Sequence, residues 1–296
     1  MKPSAALPSF LVLDKMIESW LLEDIGRGDR TTEGLNNATV QTDAYWVAKE
    51  SGIIAGLPIA ARVFHRLDES CTFKAMAAEG QWCERGQVVA EISGSLSTLL
   101  AAERVAINLA MRLSGIATMT SKYVAQIADL PAQFADTRKT TPGMRLLEKY
   151  ATRVGGAVNQ RMGLDDGVLV KDNHIAAAGS IRDAIAQVRD HIPYTMSVEV
   201  ETETLDQVAE AIACDVDIIM LDNMPQPMMK KAVQMIRGAK SFVKIEASGN
   251  VILETIRAVA ETGVDYISSS APITRSTWLD LSMKIGQSSL QQTETN

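Results

Sequence analysis

The chain is poor in the residues that metal centres, disulfide frameworks and membrane spans require. It has three cysteines (Cys71, Cys83, Cys214) and three histidines (His65, His174, His191) in 296 residues. The cysteines are odd in number and lack metal-ligand spacing, so free thiols in a reducing cytoplasm are expected. The histidines lie far apart, which argues against a zinc site. No apolar run approaches the roughly 18 to 20 residues that span a bilayer. The start of the chain, with Pro3, Pro8, Asp14 and Lys15 around a short apolar patch, lacks the parts of a signal peptide. No Gly-x-Gly-x-x-Gly follows an expected strand, which disfavours a dinucleotide-binding doubly wound sheet. Residues 288–296 read as a polar tail.

What is present is an ordinary globular composition, 46% apolar and 22% charged, with one local anomaly. From 138 to 171 seven basic residues (Arg138, Lys139, Arg145, Lys149, Arg153, Arg161, Lys171) meet three acids (Glu148, Asp165, Asp166), a formal local charge of +4 in a chain of −7. A basic island in an acidic protein fits a small anionic ligand; nucleic-acid binders spread positive charge over a whole face.

The first third reads as mixed α/β, with a helix over Asp14 to Leu22 and strands over Ala44 to Ala48 and Val88 to Ile92. Gly80 to Gln87 has the glycines of a hairpin turn; it superficially resembles a lipoyl-carrier turn but has no lysine at its tip. A helix over Leu96 to Leu113 is expected to stop at Ser114-Gly115. Beyond residue 130, strand-like runs at Gly167–Val170, Met196–Val200, Asp217–Leu221, Val243–Ala247 and Val264–Ile267 alternate with helical patterns at Ile181–Val188, Leu205–Ile212, Met228–Ile236 and Val251–Ala260. This is the rhythm of βα units around a parallel sheet. Several strands end in Lys171, Glu201, Asp222, Ser248 or the serines 268 to 270, the rim where a β/α barrel places its active site.

Arg138 and Lys139 follow an expected strand over Gln133 to Thr137 and precede a helix that Thr141 can cap and Pro142 can open. Glu199 and Glu201 are two apart on one strand and so share a face. If that face is the interior, they need partners, and Lys139 and Lys171 would serve. Ser248-Gly249-Asn250 and Ser268 to Ala271 are small-residue turns suited to phosphate. His174 is read as a structural histidine, and no general base is assigned to it.

These residues, in order, resemble the quinolinate phosphoribosyltransferase family over nearly the whole chain. The match runs through Glu23-Asp24-Ile25-Gly26-Arg27-Gly28-Asp29, Glu103-Arg104-x-Ala106-x-Asn108, Ser114-Gly115-Ile116-Ala117-Thr118 and Asp136-Thr137-Arg138-Lys139-Thr140. It continues through Arg161-x-Gly163-Leu164, Lys171-Asp172-Asn173-His174, Glu199-Val200-Glu201, Leu221-Asp222-Asn223 and Glu246-Ala247-Ser248-Gly249.

The resemblance implies a sandwich-like N-terminal α/β domain over 1–115, with 275–296 packing back on it, and an open β/α barrel over 116–274. It implies conversion of quinolinate and phosphoribosyl pyrophosphate to nicotinate mononucleotide, pyrophosphate and carbon dioxide, with Mg2+, in a cytoplasmic protein with no nucleic-acid or membrane partner. Lys139, Lys171, Glu201 and Asp222 are the expected catalytic residues. Arg104, Thr137, Arg138, Gln160, Arg161, Ser248, Gly249, Asn250, Ser269, Ser270 and Ala271 are expected to bind substrate with them. Glu201 and Asp222 would meet the metal through water. The subunits would form a homo-oligomer, dimer or hexamer, with Arg104 donated across the interface.

Three positions depart from the family pattern: Gln160 where histidine is usual, Asn250 where a second glycine is frequent, and Arg275 near a frequent histidine. A relative of molybdenum-transport operons, a nicotinate phosphoribosyltransferase and a non-catalytic metabolite-binding barrel are the rival readings. The intact Lys171 to His174 segment argues against the first, a cation cluster larger than a single carboxylate requires argues against the second, and the presence of Lys139, Arg161, Lys171, Glu201 and Asp222 argues against the third.

Overall fold

In the computed structural model, which describes residues 5–35, 37–240 and 242–286, the chain divides into two units. The tail expected at 288–296 lies outside the described residues. The first unit comprises Met1–Met119, Leu146–Gly156 and Ser276–Asn296; the second comprises Thr120–Arg145 and Ala157–Arg275.

The first unit begins with α1 (Phe10–Ile25) and α2 (Arg30–Glu33), followed by β1 (Gln41–Ala48), β2 (Gly52–Ile53), α3 (Leu57–Leu67), β3 (Thr72–Ala75), β4 (Trp82–Cys83), β5 (Val88–Ser95) and α4 (Leu96–Gln126). Ser9 caps α1, and Gly26 closes it with a positive φ of 53°. Along β1 every second residue from Ala44 is buried. Trp46 meets Phe73 edge-on with centroids 5.6 Å apart, and Phe64 of α3 joins the cluster.

The expected end of a helix at Ser114-Gly115 is wrong, because α4 runs through it to Gln126. Gly115 is there for a close approach. A β-carbon on it would lie 1.9 Å from the Thr277 carbonyl oxygen, so only glycine lets the C-terminal segment cross α4.

The second unit is built from β6 (Gln133–Ala135), β7 (Val168–Val170), β8 (Val198–Thr202), β9 (Ile218–Asp222), β10 (Lys244–Ser248) and β11 (Tyr266–Ser268). Its helices are α6 (Asp172–Ala178), α7 (Ile181–Arg189), α8 (Leu205–Ala213), α9 (Gln226–Ala239), α10 (Ile256–Ala260) and α11 (Ala271–Thr274); α5 (Arg145–Val154) lies almost wholly in the first unit. The six strands are parallel in the order β6-β11-β10-β9-β8-β7, and a parallel bridge from Ala135 to Val158 adds a step beyond β6. This is the open β/α barrel expected.

One face of each strand is apolar (Val198, Val200, Ile219, Leu221, Ile245, Ala247 and Ile267 are buried), and the other face carries the polar residues. Thr204 opens α8 with a reciprocal cap, its hydroxyl accepting from Gln207 N while the Gln207 side chain accepts from Thr204 N.

Two local expectations need correction. Thr141 and Pro142 do not start a helix; 142–144 form a turn and α5 begins at Arg145. The helix expected over Val251–Ala260 is only Ile256–Ala260, because turns occupy 253–255. The C-terminal segment expected to pack back on the first domain includes a strand, β12 (Leu281–Ile285), which pairs antiparallel with β1. The first unit's sheet then reads β12-β1-β5-β3, with β2 and β4 as a separate pair.

Candidate active site

The carboxyl ends of the parallel strands surround a cavity of about 480 Å³ in the second unit. Its lining follows the two-residue period of the strands: Leu169 and Lys171 from β7 and its end, Met220 and Asp222 from β9, Glu246 and Ser248 from β10, with Glu201 from β8 and Ser268 from β11. Thr137, Arg138 and Lys139 enter from the loop after β6, Gln160 and Arg161 from the segment beside it, and Asn223, Gly249 and Asn250 from the loops after β9 and β10.

Buried Asp136 organises two of these groups. Its carboxylate accepts from Asn159 Nδ2 at 2.6 Å and from Gln160 N at 3.0 Å, holding the 158–161 segment against the end of β6. Thr137 Oγ1 accepts from Lys139 N at 3.1 Å, which bends the chain so that Arg138 and Lys139 border the cavity. Arg145 braces this loop, donating to Thr140 Oγ1 at 3.0 Å and to the Met162 carbonyl at 3.3 Å.

The basic island is therefore not one site. Four of its members line the cavity, Arg145 supports the loop, and Lys149 and Arg153 ride on α5.

Arg161 donates through Nη1 to the Gly167 carbonyl at 2.7 Å, and its Nε is buried without a hydrogen-bond partner; so is the Nε of Arg138. Burial, and then the neighbouring Arg138, make the charged form of Arg161 costlier and lower its pKa. Two guanidiniums with unsatisfied donors beside one another call for an anion. Lys171 Nζ donates to Glu201 Oε2 at 2.9 Å, so this pair is as expected. His174 accepts through Nδ1 from Lys171 N at 3.0 Å at the start of α6.

Glu199 corrects the expectation of a lysine partner. It is 5% exposed and accepts from Gln160 Nε2 at 3.2 Å, with the carboxyl of Glu246 close enough for the two charges to repel. Burial, then the charge of Glu246, raises the Glu199 pKa well above the ordinary carboxyl value. Glu199 and Glu201 share a strand face but not a task.

Ser248, Gly249 and Asn250 line the cavity as expected. Ser269, Ser270 and Ala271 are not among the described residues that line it. Ser269 Oγ donates to the Val251 carbonyl at 3.1 Å and accepts from Ala271 N at 3.3 Å, so it fastens the turn. Arg104, exposed on α4 of the first unit, has Glu103 at 3.7 Å.

The sequence reading does not single out Glu246, Met220, Leu169 or Asn223 as site residues. Counting back two positions from Ser248, Asp222 and Lys171 finds the first three. Among the described residues no three His, Cys, Asp or Glu side chains cluster as a metal site, and no helix is long and apolar enough to cross a membrane.

Comparison with known proteins gives a consistent result. The family model for the N-terminal domain of quinolinate phosphoribosyl transferase matches residues 29–114, and that for the C-terminal domain matches 116–284. A probable carboxylating nicotinate-nucleotide pyrophosphorylase of Synechocystis sp. is 58% identical over 283 residues, 96% of each chain. The corresponding Bacillus subtilis protein is 42% identical over 93% of this chain and 94% of its own. The crystal structure of NadC from Streptococcus pyogenes superposes with a TM-score of 0.89 at 41% identity, covering 94% of this chain and 98% of that one.

Proposed function

The chain belongs to the quinolinate phosphoribosyltransferase family, and from that premise we propose how its cavity performs the family reaction. The enzyme transfers the phosphoribosyl group of phosphoribosyl pyrophosphate to quinolinate, releasing pyrophosphate and carbon dioxide and giving nicotinate mononucleotide for NAD biosynthesis. The observation that carries the reading is the convergence of Arg138, Lys139, Arg161 and Lys171 on one cavity, two of them with buried, unpartnered Nε atoms.

Quinolinate presents two carboxylates on adjacent ring carbons, and its cosubstrate adds a phosphate and a pyrophosphate. Only fixed cations can gather so many anions at one point. Arg138 and Arg161 receive a carboxylate through their planar forks, while Lys139 and Lys171 supply compact charge over the second carboxylate and the ring.

The ring nitrogen attacks the anomeric carbon of the ribose as the bond to pyrophosphate breaks. Positive charge develops on the sugar, as in glycoside hydrolysis, and the carboxylates of Glu201 and Asp222 lie on neighbouring strands to stabilise it and to hold the ribose hydroxyls. The nitrogen becomes cationic on transfer. The carboxylate beside it then leaves as carbon dioxide, its bonding electrons held next to that positive charge until the ring carbon takes a proton from solvent. No side chain has to remove a proton from quinolinate.

Glu201 and Asp222 fit Mg2+ as two partial ligands rather than a cage, since the ion keeps much of its water and would be held mostly by pyrophosphate oxygens. It would supply charge neutralisation at the leaving group. Ser248, Gly249 and Asn250 offer backbone to the 5-phosphate. Ser269, Ser270 and Ala271 complete that turn from behind. The site functions in the cytoplasm in a homo-oligomer, a dimer or hexamer, in which the exposed Arg104 of one subunit reaches the cavity of another. Its large exposure in a single chain supports that role.

The test is to incubate purified protein with phosphoribosyl pyrophosphate and Mg2+, with quinolinate in one tube and nicotinate in the other. Nicotinate mononucleotide and carbon dioxide from quinolinate alone are expected. Product from nicotinate alone would overturn the reading.

A further inference from the structure

The loop ends of β9 and β10 carry a hydrogen-bonded chain whose side-chain amides have no part in the phosphoribosyl transfer described above. Asp222 closes β9, and its Oδ2 accepts from Nδ2 of the next residue, Asn223, at 2.6 Å. Asn223 N donates to the Ser248 carbonyl at 2.9 Å, tying the two strand ends together. The Asn223 side chain lies over Gly249, where a β-carbon would fall 2.2 Å from Asn223 Oδ1, so no other residue fits at 249 without displacing it. The far end of the same amide, Asn223 Oδ1, accepts from Asn250 Nδ2 at 3.1 Å.

This chain has one polarity. An ionised carboxylate only accepts, so Asn223 must turn its NH2 toward Asp222. Its carbonyl oxygen then faces Asn250, which must also present its NH2. Both asparagines have a φ of 51°, a left-handed conformation in which glycine would carry less steric cost. At 250 the side-chain amide offsets that cost by gripping Asn223.

We propose that Asn250 is a positioning residue which, through Asn223, fixes the orientation of the Asp222 carboxylate toward the ribose and pyrophosphate of the cosubstrate. The proposal rests on the reading of Asp222 given above. It concerns phosphoribosyl pyrophosphate and not quinolinate, because the chain of amides ends on the carboxylate assigned to the sugar and not on a cation assigned to the ring. Asn250→Gly and Asn223→Gly remove each amide while relaxing the left-handed backbone, so neither should impair folding.

The experiment is a double-mutant cycle on kcat/KM for phosphoribosyl pyrophosphate. Asn250→Gly should lower it about fivefold, the worth of one hydrogen bond, with the quinolinate KM unchanged. Asn223→Gly should lower it about tenfold, and adding Asn250→Gly to that variant should change nothing further. Asn250→Asp keeps the shape but loses the donor, and should be worse than Asn250→Gly only while Asn223 is present. Losses that multiply in the double variant, or an Asn250→Gly enzyme equal to wild type, would overturn the positioning role. Asp222→Asn is run alongside: if it retains wild-type turnover, the assignment of Asp222 itself fails, whereas an impaired Asp222→Asn beside an unaffected Asn250→Gly removes only the relay.

Discussion

The rim of the barrel and the layer just beneath it hold similar residues and do different things. At the rim, Lys171 and Glu201 pair at 2.9 Å on the edge of the cavity, and both remain accessible to a ligand. Two residues deeper on the same strand, Glu199 is buried beside Glu246 and Gln160, outside the cavity lining, where burial raises its pKa and disfavours its charged form. The same side chain borders the cavity at one depth and is closed off from it at the next. Depth along the strand decides, because solvent access sets whether a carboxyl stays ionised.

That contrast can be broken or sharpened by mutation. The largest effect belongs to the rim cations: Lys171→Ala or Lys139→Ala should cut turnover by a factor of about 100 to 1000 with the melting temperature held, as measured by steady-state assay and calorimetry. Near-wild-type turnover in Lys171→Ala would erase the rim's special status. Arg104→Ala should be similarly inactive alone. Mixing it with Lys171→Ala and re-equilibrating the subunits should restore about a quarter of wild-type activity, since hybrid pairs contain one complete site. No recovery would place Arg104 outside the partner's cavity. Gln160→His is the smallest change. The Gln160 amide borders the cavity but donates to Glu199, so the quinolinate KM should move only a few-fold; a loss well beyond tenfold would mean that residue 160 holds the substrate directly.

Much of this is legible in the sequence. The βα rhythm locates every strand of the barrel to within two residues, because apolar runs of that length between helical patterns have no other low-cost packing. The ladders start a residue or two later than the apolar runs, since the runs include the residue that enters the sheet. Lys171, Glu201 and Asp222 are legible as strand-end residues.

What escapes is non-local. Gly115 reads as a helix stop from its neighbours, and only Thr277, more than 150 positions away, explains why it sits in mid-helix. Glu199 reads as a partner for lysine, and only the fold shows Glu246 and Gln160 beside it. The basic island reads as one cluster, yet α5 takes Lys149 and Arg153 into the first unit.

The most direct test uses Glu201→Gln and Glu199→Gln, the same chemical change on the same strand and face. In Glu199→Gln the new amide can still accept from Gln160 and removes a charge that burial already disfavours, so this variant should keep turnover within a few-fold of wild type. Glu201→Gln loses the ionic partner of Lys171 and the charge proposed to face the ribose, and turnover should fall about 100-fold. Equal losses in the two variants, or a larger loss at 199, would contradict the separation of a chemical rim from a structural layer below it.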